Sequence, residues 1–368
     1  MILAALVAFL VQNPGLEKSP ADAWTSFRGA ATMTGNSAGT GPEKLELLWK
    51  LETKESYEAA VAIEKGIVYA ISMDNVARAL KLADGSEIWK VSFEDKDGVK
   101  GSPCLTEKLL VYGDEAGTLR ALGRTNGKVV WSQKVGGPMA SSPTIYKDRV
   151  LVGSDDSYLY CFALADGKPL WKTPTGDRLN CAPSLAGDGV VVAGCDGVVR
   201  LISVENGKET RQLELGGNIA ATPAVAGDQL VVGTMNNSVV SIDWKTMKLQ
   251  WTYEDKQSQF PFFASPALTE ELALAAGRDR KLHAIERATG NKRWTFKAKG
   301  KIDSSPVVAG NRVYFGCDDG RFYAVDLAKG EAVSTYVCGP RITASPALAA
   351  GRIVVGDGDG TLYCFGTK

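Results

Sequence analysis

The chain has 368 residues, which exceeds the usual size of a single hydrophobic core, so either two domains or one repetitive architecture is expected. Lysine plus arginine and aspartate plus glutamate each number 42, so no overall field would draw nucleic acid or an anionic membrane to the surface. The composition therefore disfavours nucleic-acid binding, and internal repeats are the first feature to search for.

The chain begins with an apolar run at residues 2–11, "ILAALVAFLV". A bilayer span needs roughly 20 apolar residues, so the run fits the core of a signal peptide better than a transmembrane helix. The small-x-small triplet at residues 21–23 is a candidate cleavage site, and we predict a signal peptide over residues 1–23 and a lead-in segment over residues 24–44. The alternative is a buried N-terminal strand. Since no cysteine follows the run, a lipid anchor is not supported, and the prediction is an exported soluble protein, periplasmic or extracellular.

A dipeptide that ends in proline recurs through the rest of the chain. Seven copies follow one another at intervals of 40 or 43 residues: Ser102-Pro103, Ser142-Pro143, Ala182-Pro183, Thr222-Pro223, Ser265-Pro266, Ser305-Pro306 and Ser345-Pro346. An eighth, degenerate copy stands at Ala60-Val61, because Trp89 follows Val61 by 28 residues just as Trp131 follows Pro103. The chain therefore contains eight repeats.

Each repeat alternates polar and apolar residues with the period of a half-buried strand, and turn dipeptides interrupt it. In the third repeat, turns at Lys147-Asp148, Asp155-Asp156 and Asp166-Gly167 separate four strands. The last of these supplies the positive-φ position that a tight hairpin needs. We find no helix. Four short antiparallel strands per period of about 40 residues are typical of a propeller blade.

The two ends of the chain are predicted to share one blade. Trp49 precedes Val61 by 12 residues, the interval that also separates Trp131 from Pro143, so Trp49 occupies the outermost strand of a blade that lacks its first three strands. The chain ends at "GDGDGTLYCFGTK", where the outermost strand is missing. We therefore predict an all-β, eight-bladed propeller over residues 45–368, closed by a strand at residues 46–52 that leaves no exposed edge at the joint.

The third and fourth strands of several repeats carry alanine, glycine and tryptophan at fixed spacing, as in Ala79 to Trp89, Ala121 to Trp131, Ala284 to Trp294 and, in part, Ala324 to Ser334. This motif resembles the pyrroloquinoline-quinone-type (PQQ-like) propeller repeat, and the resemblance covers roughly residues 45–366. It implies that the tryptophans dock neighbouring blades rather than take part in chemistry. The implied docking residues are Trp49, Trp89, Trp131, Trp171, Trp251 and Trp294.

Two branches of this family imply different functions. Quinoprotein dehydrogenases carry long insertions, two adjacent cysteines above the quinone and a calcium site, whereas this chain has no adjacent cysteines, almost no room for insertions and no Cys-x-x-Cys-His haem motif. The compact chain is more similar to the non-catalytic, BamB-like branch, which docks partner proteins. We therefore predict no enzyme activity, no cofactor, with PQQ and calcium both disfavoured, and a monomeric ring with protein partners in the cell envelope. The alternative is a quinoprotein dehydrogenase, or a degenerate relative that binds a small anion in the central funnel.

The residues before each proline-containing dipeptide are predicted to gather around one mouth of the central channel, because blades radiate from that channel. This mouth set, three and five residues before the prolines, is Lys100, Arg178, Asn180, Asn218, Lys301, Asp303, Arg341 and Thr343. It has an excess of cations and is predicted to bind a carboxylate or an acidic peptide through Arg178 and Arg341, oriented by Asn180 and Asp303. The alternative is a solvated rim.

A second candidate surface is the loop at residues 254–264. The connection from Trp251 to Pro266 is longer than most and carries Phe260, Phe262 and Phe263. Exposed together, these rings would form an apolar patch of the kind that marks partner contact. The alternative is that they pack inward.

The remaining reactive residues are predicted to be structural. His283, the single histidine, occupies the position of Tyr160 and Tyr323 in other repeats, so no histidine-based metal site is expected. Cys161 and Cys364 occupy the alanine position of the motif, where a small buried side chain is needed. The acidic stretch at residues 356–360 is explained by turn chemistry.

Two further cysteines have a possible covalent role. By analogy with the turn at residues 147–148, Cys181 and Cys195 would lie opposite each other on adjacent strands, within the Cα separation of a disulfide. A cross-strand disulfide is therefore feasible. One extra residue in this repeat would shift the register, and two free thiols are the alternative.

Overall fold

Strands and turns make up the whole of the fold in this computed structural model, which describes residues 15–94 and 97–367 and shows no helix within them. Eight antiparallel sheets of four strands follow one another along the chain, numbered here as blades 1 to 8. Blade 1 consists of β3 (Ala62–Glu64), β4 (Ile67–Ile71), β5 (Val76–Lys81) and β6 (Glu87–Ser92), and blade 2 of β7 (Cys104–Leu105), β8 (Leu109–Gly113), β9 (Thr118–Gly123) and β10 (Val129–Lys134). Blade 3 consists of β11 (Thr144–Tyr146), β12 (Arg149–Ser154), β13 (Tyr158–Ala163) and β14 (Pro169–Pro174), and blade 4 of β15 (Ser184–Ala186), β16 (Gly189–Ala193), β17 (Val198–Ser203) and β18 (Glu209–Glu214).

Blade 5 consists of β19 (Ala224–Ala226), β20 (Gln229–Gly233), β21 (Ser238–Asp243) and β22 (Lys248–Glu254), and blade 6 of β23 (Ala267–Leu268), β24 (Leu272–Ala276), β25 (Lys281–Glu286) and β26 (Lys292–Lys297). Blade 7 contains β27 (Val307–Ala309), β28 (Arg312–Gly316), β29 (Arg321–Asp326) and β30 (Ala332–Val337), and blade 8 consists of β31 (Ala347–Ala349), β32 (Arg352–Gly356), β33 (Thr361–Gly366) and β2 (Glu46–Glu52). Blade 7 gains a fifth strand, because β1 (Asn36–Ser37) pairs in parallel with β27. The predicted eight-bladed propeller is confirmed.

The ring closes where both ends of the chain meet in blade 8. Strand β2 pairs antiparallel with β33, and Trp49 stands opposite Cys364 in that register. The predicted closing strand at residues 46–52 is therefore confirmed. Closure gives blade 8 a complete set of strands, so it pairs and packs like the other seven.

The core lies between the blades, and the burial of each strand follows from its place in the sheet. The inner strands are buried on both faces, as in β28, where four of five residues are buried. The outer strands alternate between exposed and half-buried residues, as in β30. This difference fits the sequence, since the middle strands are continuous apolar runs and the outer strands are amphipathic.

The six docking tryptophans each reach across to the next blade. Each indole N–H donates to a backbone carbonyl of that blade at 2.8–3.0 Å. Each ring also lies on a turn glycine with positive φ, at which an added Cβ would come within 2.6–2.8 Å of the indole. These glycines are Gly85, Gly127, Gly167, Gly207, Gly290 and Gly330. The prediction that the tryptophans pack between blades is thus supported by their contacts.

Blades 4 and 5 meet without a docking tryptophan of this type. Arg211 occupies the position on β18 that Trp171 occupies on β14. Trp244 instead lies at this boundary, because its indole N–H donates to the Gly227 carbonyl at 2.8 Å and its ring contacts Gly187 of blade 4. A tryptophan from a different turn therefore fills the gap.

A plug segment, residues 19–42, circles one end of the central channel. Its backbone carbonyls accept hydrogen bonds of 2.7–2.9 Å from the inner edge of seven blades, in chain order around the ring. These pairs are Ala21 with Ala350, Trp24 with Ile63, Thr25 with Leu105, Ala31 with Leu185, Thr32 with Val225, Thr34 with Leu268, and Gly35 with Val308. The segment that the sequence analysis treated only as a lead-in therefore forms the base of the channel.

The predicted signal peptide overlaps this segment. Residues 1–14, which include its apolar run, lie outside the described residues. Within the described part, Ser19 and Ala23 are buried, and Ser19 exchanges backbone hydrogen bonds with residues 36 and 38. Cleavage after Ala23 would remove these contacts. No helix in the described ranges is long and apolar enough to cross a membrane.

Candidate functional site

The channel forms a funnel that is open at the mouth opposite the plug segment. Its cavity is about 530 Å³, and seven of the eight residues in the predicted mouth set line it. These are Lys100, Arg178, Asn180, Lys301, Asp303, Arg341 and Thr343. Asn218 is exposed but is not part of this lining. The structure thus brings the mouth set together from blades on opposite sides of the ring.

Alternation along the crossover segments, which run between the strands of neighbouring blades, explains which side chains face the funnel. Leu179, Ile302 and Ile342 stand between the funnel residues and are fully buried on the other side of the backbone. A polar residue on each side of a buried aliphatic residue therefore turns toward the channel. The aliphatic residue anchors the crossover between blades and holds its polar neighbours in place.

The funnel is not the cationic ring that the sequence suggested. Four cations of the mouth set face four carboxylates, because the lining also includes Glu58, Glu115 and Asp155 beside Asp303. The expected cationic excess was therefore wrong. Glu115 and Asp155 lie in turns between the second and third strands of their blades, which bend toward the mouth. The signal for Asp155 in the sequence was its acidic turn, which was interpreted only as turn chemistry, and no prediction from the sequence covered Glu115.

Ion pairs hold part of this charge in place. The Lys100 ammonium pairs with Glu115, and the hydrogen bond that it donates to this carboxylate raises the pKa of Lys100 above its usual value. Asp303 accepts from Arg278 Nε at 2.8 Å and from Lys301 Nζ at 3.2 Å. These residues are therefore fixed by their neighbours before any ligand arrives.

Arg178 and Arg341 are less constrained. Both side chains are exposed at the mouth, and the Arg178 guanidinium lies 3.9 Å from Asp177. The Arg341 side chain forms no ion pair with the described residues and runs along Gly358. Nearby, the Oδ1 atom of Asn180 is buried without a hydrogen-bond partner in the described part of the chain. The geometry therefore keeps these three side chains available to a ligand.

A smaller chamber of about 140 Å³ lies at the floor of the funnel, above the Phe27 ring of the plug segment. Around it runs a belt of hydroxyl groups from the proline-containing dipeptides. In this hydroxyl belt, each hydroxyl oxygen accepts a hydrogen bond of 2.8–3.1 Å from the backbone N–H of the preceding blade. The belt residues are Ser102, Ser142, Thr222, Ser265, Ser305 and Ser345. The repeated Ser-Pro sequence thus connects neighbouring blades around the channel.

The three phenylalanines of the 254–264 loop do not form one exposed patch. Phe262 is 3% exposed and packs edge-on against His283, with ring centroids 5.1 Å apart. Phe263 lines the funnel beneath the Arg278 guanidinium, which lies 4.4 Å from the ring centroid, and only Phe260 is more than half exposed, at 51%. The prediction of a shared surface was therefore wrong, because the irregular loop turns the Phe262 ring into the core and the Phe263 ring toward the funnel.

Cys181 and Cys195 are not bonded, and all seven cysteines are free thiols. The Cys181 thiol lies against Ala193, donating to its carbonyl at 2.8 Å and accepting from its N–H at 3.2 Å. Cys195 comes two residues later, beyond the end of β16, so the register does not place the two side chains opposite each other. The structure therefore has two free thiols at these positions in place of the feasible disulfide. Burial raises the pKa of the Cys181 thiol to about 12.

His283 lies in a buried polar cluster in blade 6. Its Nε2 atom is 3.1 Å from Asp279 and its Nδ1 atom is 3.0 Å from the Tyr253 hydroxyl. In blades 3 and 7 the same position is a tyrosine that donates to an aspartate at 2.6 Å, so the histidine preserves a structural pair. Burial, the largest single effect, acts to raise the pKa of Asp279, but the interactions with His283 and Lys281 together outweigh it and the pKa is lowered.

The same cluster offers three candidate metal ligands, because Asp255, Asp279 and His283 present ligand atoms within 4.8 Å of one another. Lys281 already occupies this space, with its ammonium 2.7 Å from Asp255 and 3.6 Å from Asp279. The lysine supplies the positive charge that the carboxylates need. A metal ion would have to displace it, and the structure favours the salt-bridged arrangement.

The funnel does not fit a quinone held by calcium. Two of its four carboxylates, Glu115 and Asp303, are already paired with cations, and no cysteine lines it. The aromatic side chains at hand are Phe263 on the wall and Phe27 on the floor. The donor set is therefore suited to a polar ligand that uses hydrogen bonds and charge.

Comparison with known proteins gives matches in both branches of the fold family. BamB of Escherichia coli (strain K12) is 32% identical over 92 residues, which cover 23% of this chain and 24% of that protein. The quinone-dependent 1-butanol dehydrogenase of Thauera butanivorans is 30% identical over 112 residues, 27% of this chain and 18% of that enzyme. The chain thus matches about a quarter or less of the length of these relatives.

The solved structure of BamB from Moraxella catarrhalis superposes with a TM-score of 0.76 at 18% identity, covering 88% of this chain and 98% of that one. At this identity the likeness concerns the fold. The family model described as outer membrane protein assembly factor BamB matches residues 72–261 and 257–363, which together make up most of the propeller. The chain therefore belongs to this BamB-type family of PQQ-like propellers.

Proposed function

We propose that this protein is an exported, non-enzymatic binding propeller that holds a protein partner in the cell envelope. Two findings support this proposal: membership of the BamB-type family, and a funnel lined mainly by charged and hydrogen-bonding groups. The BamB relatives are outer membrane protein assembly factors. The same kind of role is proposed here, with the partner left to experiment.

The arrangement of the funnel mouth carries this proposal. Side chains from blades 2, 4, 7 and 8 converge on one opening, and the plug segment covers the other end. A partner segment would therefore enter from a single side and meet both signs of charge. Such a mosaic selects a complementary polar surface and sets the rate and specificity of docking more than the affinity.

The test is capture of partners from the envelope fraction by the tagged full chain and by an Arg178→Ala, Arg341→Ala double variant. We expect the variant to lose most of the captured partner and to show a weaker dependence of capture on salt. A matched double variant, Lys208→Ala with Arg211→Ala, removes two exposed cations at the outer edge of blade 4. It should capture the partner normally. Equal capture by both double variants would eliminate the mouth as the docking site.

The alternative, a quinone-dependent enzyme, draws support from the dehydrogenase match. Two measurements on one purified preparation distinguish the two functions. A binding propeller should copurify with a stable protein partner and oxidise no alcohol when incubated with PQQ and calcium. Alcohol oxidation by the reconstituted chain would favour the enzyme.

A further inference from the structure

The hydroxyl protons of the belt residues lack hydrogen-bond acceptors among the described residues. Each belt hydroxyl oxygen accepts a backbone N–H at 2.8–3.1 Å, but none donates its proton to an acceptor in the described part of the chain. The six side chains are 3–8% exposed, so bulk water covers them poorly. A buried hydroxyl without an acceptor is costly, and six on one ring indicate that something in the channel accepts from them.

These donors converge on one small space. Five belt residues line the floor chamber, Ser142 being the exception. The chamber is about 140 Å³ and ends on Phe27. Because the hydroxyls come from different blades, they approach a central occupant from several directions, which is the geometry that suits an oxyanion.

A buried cation lies outside the chamber lining, on the residue that follows Phe27. Arg28 is 1% exposed, and its Nη2 atom donates to the carbonyls of Pro266 and Pro306, the residues that directly follow belt members Ser265 and Ser305. Its Nε and Nη1 atoms have no partner, and no carboxylate pairs with it among the described residues. Burial lowers the pKa of Arg28 to about 9, so it keeps its charge at neutral pH without a counterion. An anion at the floor would relieve this penalty.

One acceptor completes the chamber. The Oδ1 atom of Asn180, which lines both the funnel and the chamber, is buried without a partner. It calls for a ligand that also carries an N–H group. We propose that the floor chamber binds a carboxylate bearing a neighbouring amide N–H, with the carboxylate oxygens accepting from the hydroxyl belt and the amide donating to Asn180. An N-acylated amino acid and the free C-terminus of a polypeptide share this chemistry.

The test titrates the full chain by calorimetry with two probes, N-acetylglycine and N-acetyl-triglycine, each beside its C-terminal amide. Binding of the acids and at least about tenfold weaker binding of the amides is expected, because a hydrogen bond to a charged group is stronger than one to a neutral group. Tighter binding of N-acetyl-triglycine identifies a polypeptide end, whereas equal binding identifies a small molecule. Equal affinity for acids and amides, or no binding of either acid, would overturn the proposal.

Variants separate binding from stability. A Ser265→Ala, Ser305→Ala variant should weaken binding of N-acetylglycine by about tenfold or more, since two donors are lost. Ser142→Ala removes the same type of blade contact outside the chamber and should bind normally. Ser305→Thr keeps the hydroxyl, as Thr222 does in blade 5, and should also bind normally. Weakening by Ser142→Ala to the same degree as by the double variant would contradict the site.

The proposal goes beyond the proposed docking function and can fail separately from it. The Arg178→Ala, Arg341→Ala variant changes the mouth and leaves the belt intact, so N-acetylglycine should still bind to it. Loss of partner capture with retained N-acetylglycine binding therefore supports both ideas. If the mouth variant still captures the partner and the Ser265→Ala, Ser305→Ala variant no longer binds N-acetylglycine, only the chamber proposal is supported.

Discussion

At the scale of single residues, the pairing of a tryptophan with a glycine of the next blade joins neighbours around the ring. At six of the eight joints the turn glycine has a positive φ, and the indole lies so close that even a methyl group would collide with it. Two independent requirements, one on the backbone and one on space, therefore fall on the same residue. The joint is sensitive to the smallest substitution.

Gly290→Ala tests this sensitivity. Gly290 has φ of 75°, and an added Cβ would lie 2.8 Å from the Trp251 ring. We expect a loss of roughly 1–2 kcal/mol from the left-handed backbone and about 1–3 kcal/mol more from overpacking, measured by denaturant unfolding. Gly216→Ala is the control, because Gly216 has φ of 73° and open space around it. Equal destabilisation by the two changes would show that the tryptophan contact adds nothing.

At the scale of elements, the plug segment and β2 are neighbours in the N-terminal region but have different structural roles. Strand β2 completes blade 8, and the plug segment closes the base of the channel. The plug segment buries Trp24 and Met33 completely, whereas β2 buries Trp49 and pairs along its length with β33. Both elements therefore stabilise the ring through non-covalent contacts with strands that lie far from them in the sequence.

A series of three truncations separates these roles. Deleting residues 1–14 leaves every described contact in place and should not change the melting temperature. Deleting residues 1–42 should lower the free energy of unfolding by roughly 1.5–3 kcal/mol for each fully buried side chain lost, while the ring remains closed. Deleting residues 1–53 should cost about 3–5 kcal/mol more from the loss of Trp49 alone, and it opens the ring.

Calorimetric unfolding of the three truncated proteins measures the steps. If the protein lacking residues 1–53 melted at the same temperature as the one lacking residues 1–42, closure by β2 would contribute nothing. If the proteins lacking residues 1–14 and residues 1–42 melted at the same temperature, the plug segment would contribute nothing to stability.

At the scale of the whole molecule, the many buried thiols and phenols make the fold sensitive to alkali. Burial raises the pKa of Cys104, Cys317 and Cys364 to about 12, and burial with the Asp156 hydrogen bond raises that of Tyr160 to about 12. A raised pKa contributes stability that is present below the unfolded value and is lost as the pH rises through the folded value. Arg28 acts in the opposite direction, since its pKa is lowered by burial.

We therefore expect the free energy of unfolding to fall between about pH 8.5 and 12, by on the order of a few kcal/mol, because the thiols and phenols outnumber the two arginines, Arg28 and Arg287, whose pKa burial lowers. Urea unfolding in the presence of a reductant, at pH 7.5, 9 and 10.5, measures this change. A midpoint that stayed constant or rose over this range would contradict the expectation. Cys364→Ala should shift the midpoint less at pH 10.5 than at pH 7.5, since it removes one titrating group.

The sequence alone determined the eight blades, their four strands and the closing strand at residues 46–52. It could do so because the alternation of each strand, the turn dipeptides and the tryptophan spacing are local signals, and their eightfold repetition outweighs the errors in any one copy. Seven of the eight mouth residues also followed from the sequence, since each stands at a fixed distance from a proline. Position in a repeat thus predicts position around the channel.

Only the tertiary structure decided what the channel contains. Glu58, Glu115 and Asp155 reach the funnel from different blades, and the plug segment crosses beneath all but one of the inner strands. The register around β16 likewise separates Cys181 from Cys195, although the sequence allowed them to meet. Charge balance, channel closure and disulfide geometry depend on contacts between residues far apart in the chain, and a local repeat pattern carries no information about such contacts.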